Sequence, residues 1–114
     1  MSIEELQRKV LAFRDARNWK QFHNPKDSAI ALVMEANEVL EHYLWKNEKE
    51  MDEHNKTNKQ EVAEELADTL YWVLLIAHDL KIDLPEEFIK KLEKNEKKYP
   101  VEKAKNSHKK YTEY

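Results

Sequence analysis

The hydrophobic pattern of the chain reads as helical from end to end. Ile3, Leu6, Val10 and Phe13 recur three or four residues apart, the spacing that places side chains on one helix face. Ser2 with Glu5 forms a capping-box signature at the start of this first helix, which is predicted to end near Trp19. Asn24-Pro25 marks the next start, with proline suited to the first helical position, and the second helix is predicted to run to about Trp45. Asn47 to Lys59 has no apolar period and reads as a mobile loop. A third helix is predicted over Gln60 to Leu80. Asp83-x-x-Glu86 with Pro85 opens a fourth, ending near Tyr99-Pro100. The remaining polar tail, Val101 to Tyr114, is expected to be irregular, anchored by Tyr111 and Tyr114. The prediction is an all-α four-helix bundle over residues 1–100, followed by a tail over 101–114.

Two segments lack a polar side altogether. Ala29 to Met34 is apolar on every face of the second helix, and Leu70 to Ala77 is apolar or aromatic throughout the third. Helices of that kind need neighbours all round, and four helices cannot easily supply them. A bundle completed by oligomerisation, in a dimer or higher assembly of shared helices, is therefore expected.

Composition removes several chemistries. At 114 residues the chain is the size of one domain. Glycine is absent, where average usage would give roughly eight, so neither a phosphate-cradling glycine loop nor a dinucleotide fingerprint can form. Cysteine is absent too, which excludes disulfides and thiolate metal sites. The N-terminal MSIEELQRK has neither a basic nor an apolar region of a secretory signal, and LYWVLLIA is far short of a membrane span; a cytoplasmic protein with no membrane partner is expected. The formal charge is −3, yet residues 86–114 hold nine lysines against six acids. That is a poor footprint for nucleic acid, though it leaves basic groups free for a small polyanion.

Four carboxylates then stand out. Glu35 and Glu38 form a Glu-x-x-Glu pair, and Glu65 and Asp68 a Glu-x-x-Asp pair. Charged residues make up 38% of the chain, so such pairs arise readily on solvated faces. These two, however, directly border the segments that are apolar all round. Glu61 joins the stripe of Glu65, Asp68 and Trp72 on the third helix and ranks below the pairs. Buried carboxylates are normally paired or coordinate a metal, and few lysines lie beside these. No histidine follows a glutamate by three residues, which removes the di-iron bundle pattern, and His-Glu-x-x-His is absent. Four oxygen ligands without histidine or cysteine favour Mg²⁺ or Mn²⁺, ions that commonly engage substrate phosphates.

Aromatic residues flank the acids. Trp45 lies seven residues after Glu38 and Trp72 four after Asp68, so each shares a face with its pair. Trp19, Lys20, Gln21, Phe22 and His23 precede the second helix. Flat rings stack on nucleobases, although a tryptophan taken alone is more often core or interface. Lys91, Lys94, Asn95 and Lys98 line one side of the fourth helix, where solvated surface is the plain alternative.

Taken together, EANE followed after 26 residues by ELAD, with RNWKQFHNP, ALVMEANEVLEHYLWK, DLP and the late N-x-x-KYP, resembles the all-α nucleoside triphosphate pyrophosphohydrolases of the MazG-like superfamily, most closely their dCTP pyrophosphatase branch. The resemblance spans nearly the whole chain. It implies Glu35, Glu38, Glu65 and Asp68 as Mg²⁺ ligands, Glu35 or Glu38 as general base, and nucleotide contacts from Trp19 to His23, Trp45 and Trp72. Apart from the resemblance, Lys91, Lys94 and Lys98 are candidates to screen the leaving pyrophosphate, and Lys91, Asn95 and Lys98 are candidate substrate contacts. The resemblance also implies a homotetramer with active sites at subunit contacts. The expected reaction converts a dNTP (dCTP first, then dATP or modified dNTPs) to dNMP and pyrophosphate, clearing the nucleotide pool. The chain departs from the branch at two substrate contacts: Trp72 stands where a tyrosine follows the motif aspartate, and Val10 where the vertebrate enzymes carry a histidine. Two other readings stay open: a dUTP diphosphatase or phosphoribosyl-ATP pyrophosphatase of the same fold, and a non-enzymatic helical interaction module whose acids form a structural ion cluster.

Overall fold

A computed structural model describes all 114 residues, and every regular element in it is helical. Residues Met1–Lys81 form one compact unit and Ile82–Tyr114 a second. The first holds α1 (Ile3–Ala16), a 3₁₀ turn (Lys20–Phe22), α2 (Pro25–Glu41), α3 (Glu48–Thr57) and α4 (Lys59–Asp79). The second holds α5 (Leu84–Lys98), α6 (Val101–Ala104) and a closing 3₁₀ turn (Tyr111–Glu113). No helix is long and apolar enough to cross a membrane.

Side chains start α1, α2 and α5 as their sequences predict. The Ser2 hydroxyl accepts from the Glu5 N–H, and Asn24 Oδ1 from the Asp27 N–H, at 3.1 and 2.9 Å. Asp83 does the same for Glu86 at the start of α5. Each cap satisfies a donor the helix itself leaves open and is worth about 1 kcal/mol.

The first unit is organised around α4, which packs along α2 and α1 and meets α3. Leu74, Leu75 and Ala77 are its buried apolar centre. Two polar ties bind α1 to the same stretch. Gln7 Nε2 donates to the Leu74 carbonyl at 2.8 Å, and the Arg14 guanidinium donates to both Asp79 oxygens at 2.8 and 3.0 Å. Arg14 is only 1% exposed, so its charge depends on that partner.

Four differences from the sequence expectations matter. The predicted loop of residues 47–59 is mostly helix α3. It lacks an apolar stripe, but Asn47 caps it in a full capping box with Glu50, so local hydrogen bonds hold what periodicity did not reveal. α1 stops at Ala16, because Asn18 turns left-handed and the Trp19 N–H returns to the Arg14 carbonyl. α2 stops at Glu41 rather than Trp45, which also lies in the left-handed region at φ 66°. The tail is partly helical, and Tyr111 and Tyr114 anchor it by edge contacts on Tyr99.

The segments expected to be covered on every side are covered only in part within one chain. Leu74, Leu75 and Ala77 are buried, yet Leu70, Val33 and Met34 are open, the last two 67% and 62% exposed. Within Met1–Lys81 only α4 packs extensively on α2, and Val33 and Met34 on its outer face stay open.

Candidate metal centre and nucleotide pocket

Three of the four predicted acids converge. Glu35 and Glu38 lie one turn apart on α2, and Glu65 faces them from α4. An oxygen from each lies within 4.8 Å of the other two. Glu35 Oε2 and Glu65 Oε2 are shielded from solvent and have no hydrogen-bond partner. Burial, reinforced by the adjacent Glu38 carboxyl and by the charges of the other neighbouring acids, lifts both carboxyls above the ordinary glutamate range. Unpartnered oxygens crowded at this distance are a poor resting state for carboxylates alone. An all-oxygen set of this kind suits a hard divalent cation. The Thr69 hydroxyl bonds the Glu65 carbonyl at 2.8 Å, an i−4 bond of the sort that bends a helix locally, next to the carboxylate it carries.

Asp68, one turn beyond Glu65, lies outside that tight triad but shares a cavity with Glu35. The cavity has a volume of about 610 Å³, within the range of small-molecule sites. α1 contributes Lys9, Val10 and Phe13; the segment around the 3₁₀ turn contributes Trp19 and His23; α4 contributes Tyr71 and Trp72 beside Asp68. Five of its rings form a continuous chain of edge contacts. Trp19 meets Phe13 at 5.8 Å, Phe13 meets Tyr71 at 6.0 Å, Tyr71 meets Trp72 at 5.2 Å, and Trp72 meets His23 at 5.1 Å, with interplanar angles of 70–85°. Edge-to-face packing satisfies the ring quadrupoles of neighbours. The Arg17 guanidinium sits 3.7 Å from the Phe13 ring centroid and 5.8 Å from that of Trp19, bracing one end. Burial, aided by the Arg14 charge, holds His23 below its usual pKa, and so neutral near pH 7. Burial also raises the Tyr71 hydroxyl.

The remaining candidates fall elsewhere. Lys20 and His23 line a second, smaller cavity of about 350 Å³ beside the N-terminus of α2. Gln21 is exposed and donates to the Asn18 carbonyl, and Phe22 is exposed. Trp45 is 93% exposed. Glu61 is exposed and stands outside the triad. In the second unit, Lys91 and Lys94 line a groove shared with Glu87 and Glu93, Asn95 is half-buried, and Lys98 lies over the Tyr111 ring at 5.0 Å.

Sequence reasoning missed Lys9, Phe13 and Tyr71 as cavity residues. Phe13 read as core because its spacing matched Ile3, Leu6 and Val10. Tyr71 lies inside the apolar run Leu70–Ala77, whose pattern reads as buried core. Also missed were His42 and His54, whose rings hydrogen-bond at 2.8 Å between α3 and the end of α2. They border a third cavity, on which Glu38 and Glu65 also lie.

Comparison with known proteins gives one consistent outcome. Residues 30–114 match the model of the MazG-like family. The chain is 33% identical to human dCTP pyrophosphatase 1 over 114 residues, covering 98% of this chain and 67% of that protein. It is 34% identical to the mouse dCTP pyrophosphatase 1 over the same shares. Its fold superimposes on the crystal structure of a pyrophosphatase from Archaeoglobus fulgidus with a TM-score of 0.80 and 39% identity, covering 85% of this chain and 91% of that one.

Proposed function

The chain belongs to the MazG-like family, and on that premise we propose that it is a Mg²⁺-dependent pyrophosphohydrolase that cleaves a deoxynucleoside triphosphate, dCTP first, between the α and β phosphates. Similarity to dCTP pyrophosphatases across almost the entire chain supports the reaction class. The observation that carries the reading is the junction at Glu35, which belongs both to the carboxylate triad and to the wall of the aromatic cavity. A substrate with a flat base and a charged phosphate chain matches that junction.

The roles follow from chemistry. Trp19, Trp72 and His23 would hold the base and sugar in the ring-lined cavity, each stacked base being worth about 1–3 kcal/mol. Glu35, Glu38, Glu65 and Asp68 would hold the cation through oxygen ligands alone. When bound, Mg²⁺ supplies neutralisation of phosphate charge and a lower pKa for the attacking water. Glu35 or Glu38 would take the proton of that water as its oxygen bonds to phosphorus, and the P–O bond bridging the α and β phosphates breaks, so that dNMP and pyrophosphate leave. The open apolar face of α2 supports a homo-oligomer, a tetramer in this reading, in which Trp45 would reach a neighbouring subunit's nucleotide. The physiological role would be clearance of excess or modified dNTPs.

The test is pyrophosphate release across a panel of NTPs and dNTPs, with Mg²⁺ and with chelator. Fastest turnover of dCTP, lost on chelation, supports the proposal. Faster turnover of dUTP or dATP overturns the base preference, and no release with any nucleotide overturns the activity.

A further inference from the structure

The third cavity, of about 370 Å³, lies between the end of α2 and the helix α3 that follows it. Glu38 and Glu65 border it, together with Glu41, His42, Lys46 and His54. Glu38 and Glu65 are also members of the carboxylate triad, whose third member Glu35 borders the aromatic cavity. The triad therefore stands between two cavities of opposite character, one ring-lined and one carrying imidazoles and an ammonium.

We propose that this second cavity receives the pyrophosphate half of the substrate, with His42, His54 and Lys46 as its recognition residues; the inference rests on the reading of the triad as a triphosphate-cleaving centre. The scissile bond of a nucleoside triphosphate lies between its nucleoside monophosphate half and its pyrophosphate half. With the base in the aromatic cavity and the α phosphate at the triad, the β and γ phosphates must continue away from the rings. Lys46 offers three donors and a full charge. The two imidazoles share one hydrogen bond of 2.8 Å. Whichever ring donates, the accepting ring keeps its own proton on the outer nitrogen, leaving an N–H free to donate. A cation held by Glu38 and Glu65 would offset their charge, which leaves Glu41 as the remaining carboxylate of the cavity lining; Glu61 also lies near enough to act on the charge of His54. α3 is needed for this arrangement because it carries His54, and its docking is reinforced by a hydrogen bond from the Tyr43 hydroxyl to Asn55.

The experiment is calorimetric titration of inorganic pyrophosphate, and separately of dCMP, into the Mg²⁺-loaded protein and its variants. His54→Ala and Lys46→Ala are each expected to weaken pyrophosphate by about tenfold, the size of one lost hydrogen bond to a charged group, with dCMP affinity unchanged. Tyr43→Phe loosens α3 without altering the cavity's charge or donors and is expected to leave both affinities unchanged, which separates recognition from mere docking of the helix. Unchanged pyrophosphate affinity in both cavity variants overturns the inference. So does an equal loss for dCMP, or a loss of the same size in Tyr43→Phe. A wild-type protein that releases pyrophosphate from dNTPs while failing this titration refutes the subsite alone, whereas one that turns over no nucleotide refutes the reading beneath it.

Discussion

Glu35 and Glu65 hold their protons to higher pH in the folded protein than in the unfolded chain. The linkage has a definite sign. In the absence of a cation, their contribution to stability is fully present below the ordinary glutamate pKa and is lost as pH rises through the raised values. A cation needs the ionised carboxylates, so its stabilising effect should grow across that same window. Melting temperatures with chelator and with Mg²⁺, taken from about pH 4 to pH 8 around the ordinary range, should diverge as pH rises. Glu35→Gln should flatten the divergence, and parallel curves would exclude the triad as the cation site. Glu38→Ala should reduce turnover by about 10²–10⁴-fold, the scale of a lost general base, while circular dichroism keeps the helical signal. Retained turnover would remove Glu38 from the chemistry.

At the scale of elements, α3 and the Arg14–Asp79 tie give separate expectations. Asn47→Ala should remove the capping box at the cost of about 1 kcal/mol, lowering the melting temperature by about 4 °C. An unchanged melt would show that α3 does not unfold together with the rest of the unit. Asp79→Leu alone leaves a buried guanidinium without its partner and should destabilise by about 3–5 kcal/mol, whereas Arg14→Met with Asp79→Leu should recover most of that loss. Denaturant melts of the single and double variants read this directly, and additive losses would mean that the pair is not coupled. These elements also show where the sequence was legible. α4 and α5 were visible because apolar spacing, Pro85 and the Asp83 cap all pointed the same way. α3 was obscured because a charged helix has no stripe, although Asn47 and Glu50 carried its start signal. The acid pairs were legible because residues three apart on one helix must share a face. His42 and His54 were not, because twelve residues and a change of helix separate rings that only the packing of α3 brings together. Phe13 and Tyr71 needed the packing of α1 on α4 before an apolar pattern could be recognised as a cavity wall.

At the scale of the molecule, the unit Met1–Lys81 leaves apolar surface on α2 that its own helices do not cover. Val33 and Met34 open outward one turn or less before Glu35, so whatever covers them sits close to the carboxylates. In the proposed homo-oligomer, Val33→Glu should shift the protein to a smaller species in analytical ultracentrifugation and lower pyrophosphate release, without changing a single ligand residue. A wild-type protein that sediments as a monomer at full activity would show that the face serves another purpose.

The three tryptophans are distributed in a way that makes the chain its own optical reporter. Trp19 and Trp72 face the ring-lined cavity, whereas Trp45 projects almost wholly into solvent. Emission from Trp45 should be red-shifted whenever its surroundings are water and should move to shorter wavelength once another surface covers it. Occupancy of the cavity should instead change emission from Trp19 and Trp72. Phenylalanine at both Trp19 and Trp72 leaves Trp45 as the reporter of its own coverage, and phenylalanine at Trp45 leaves Trp19 and Trp72 as reporters of the cavity. With no native cysteine, a single introduced thiol adds a third label at any chosen position.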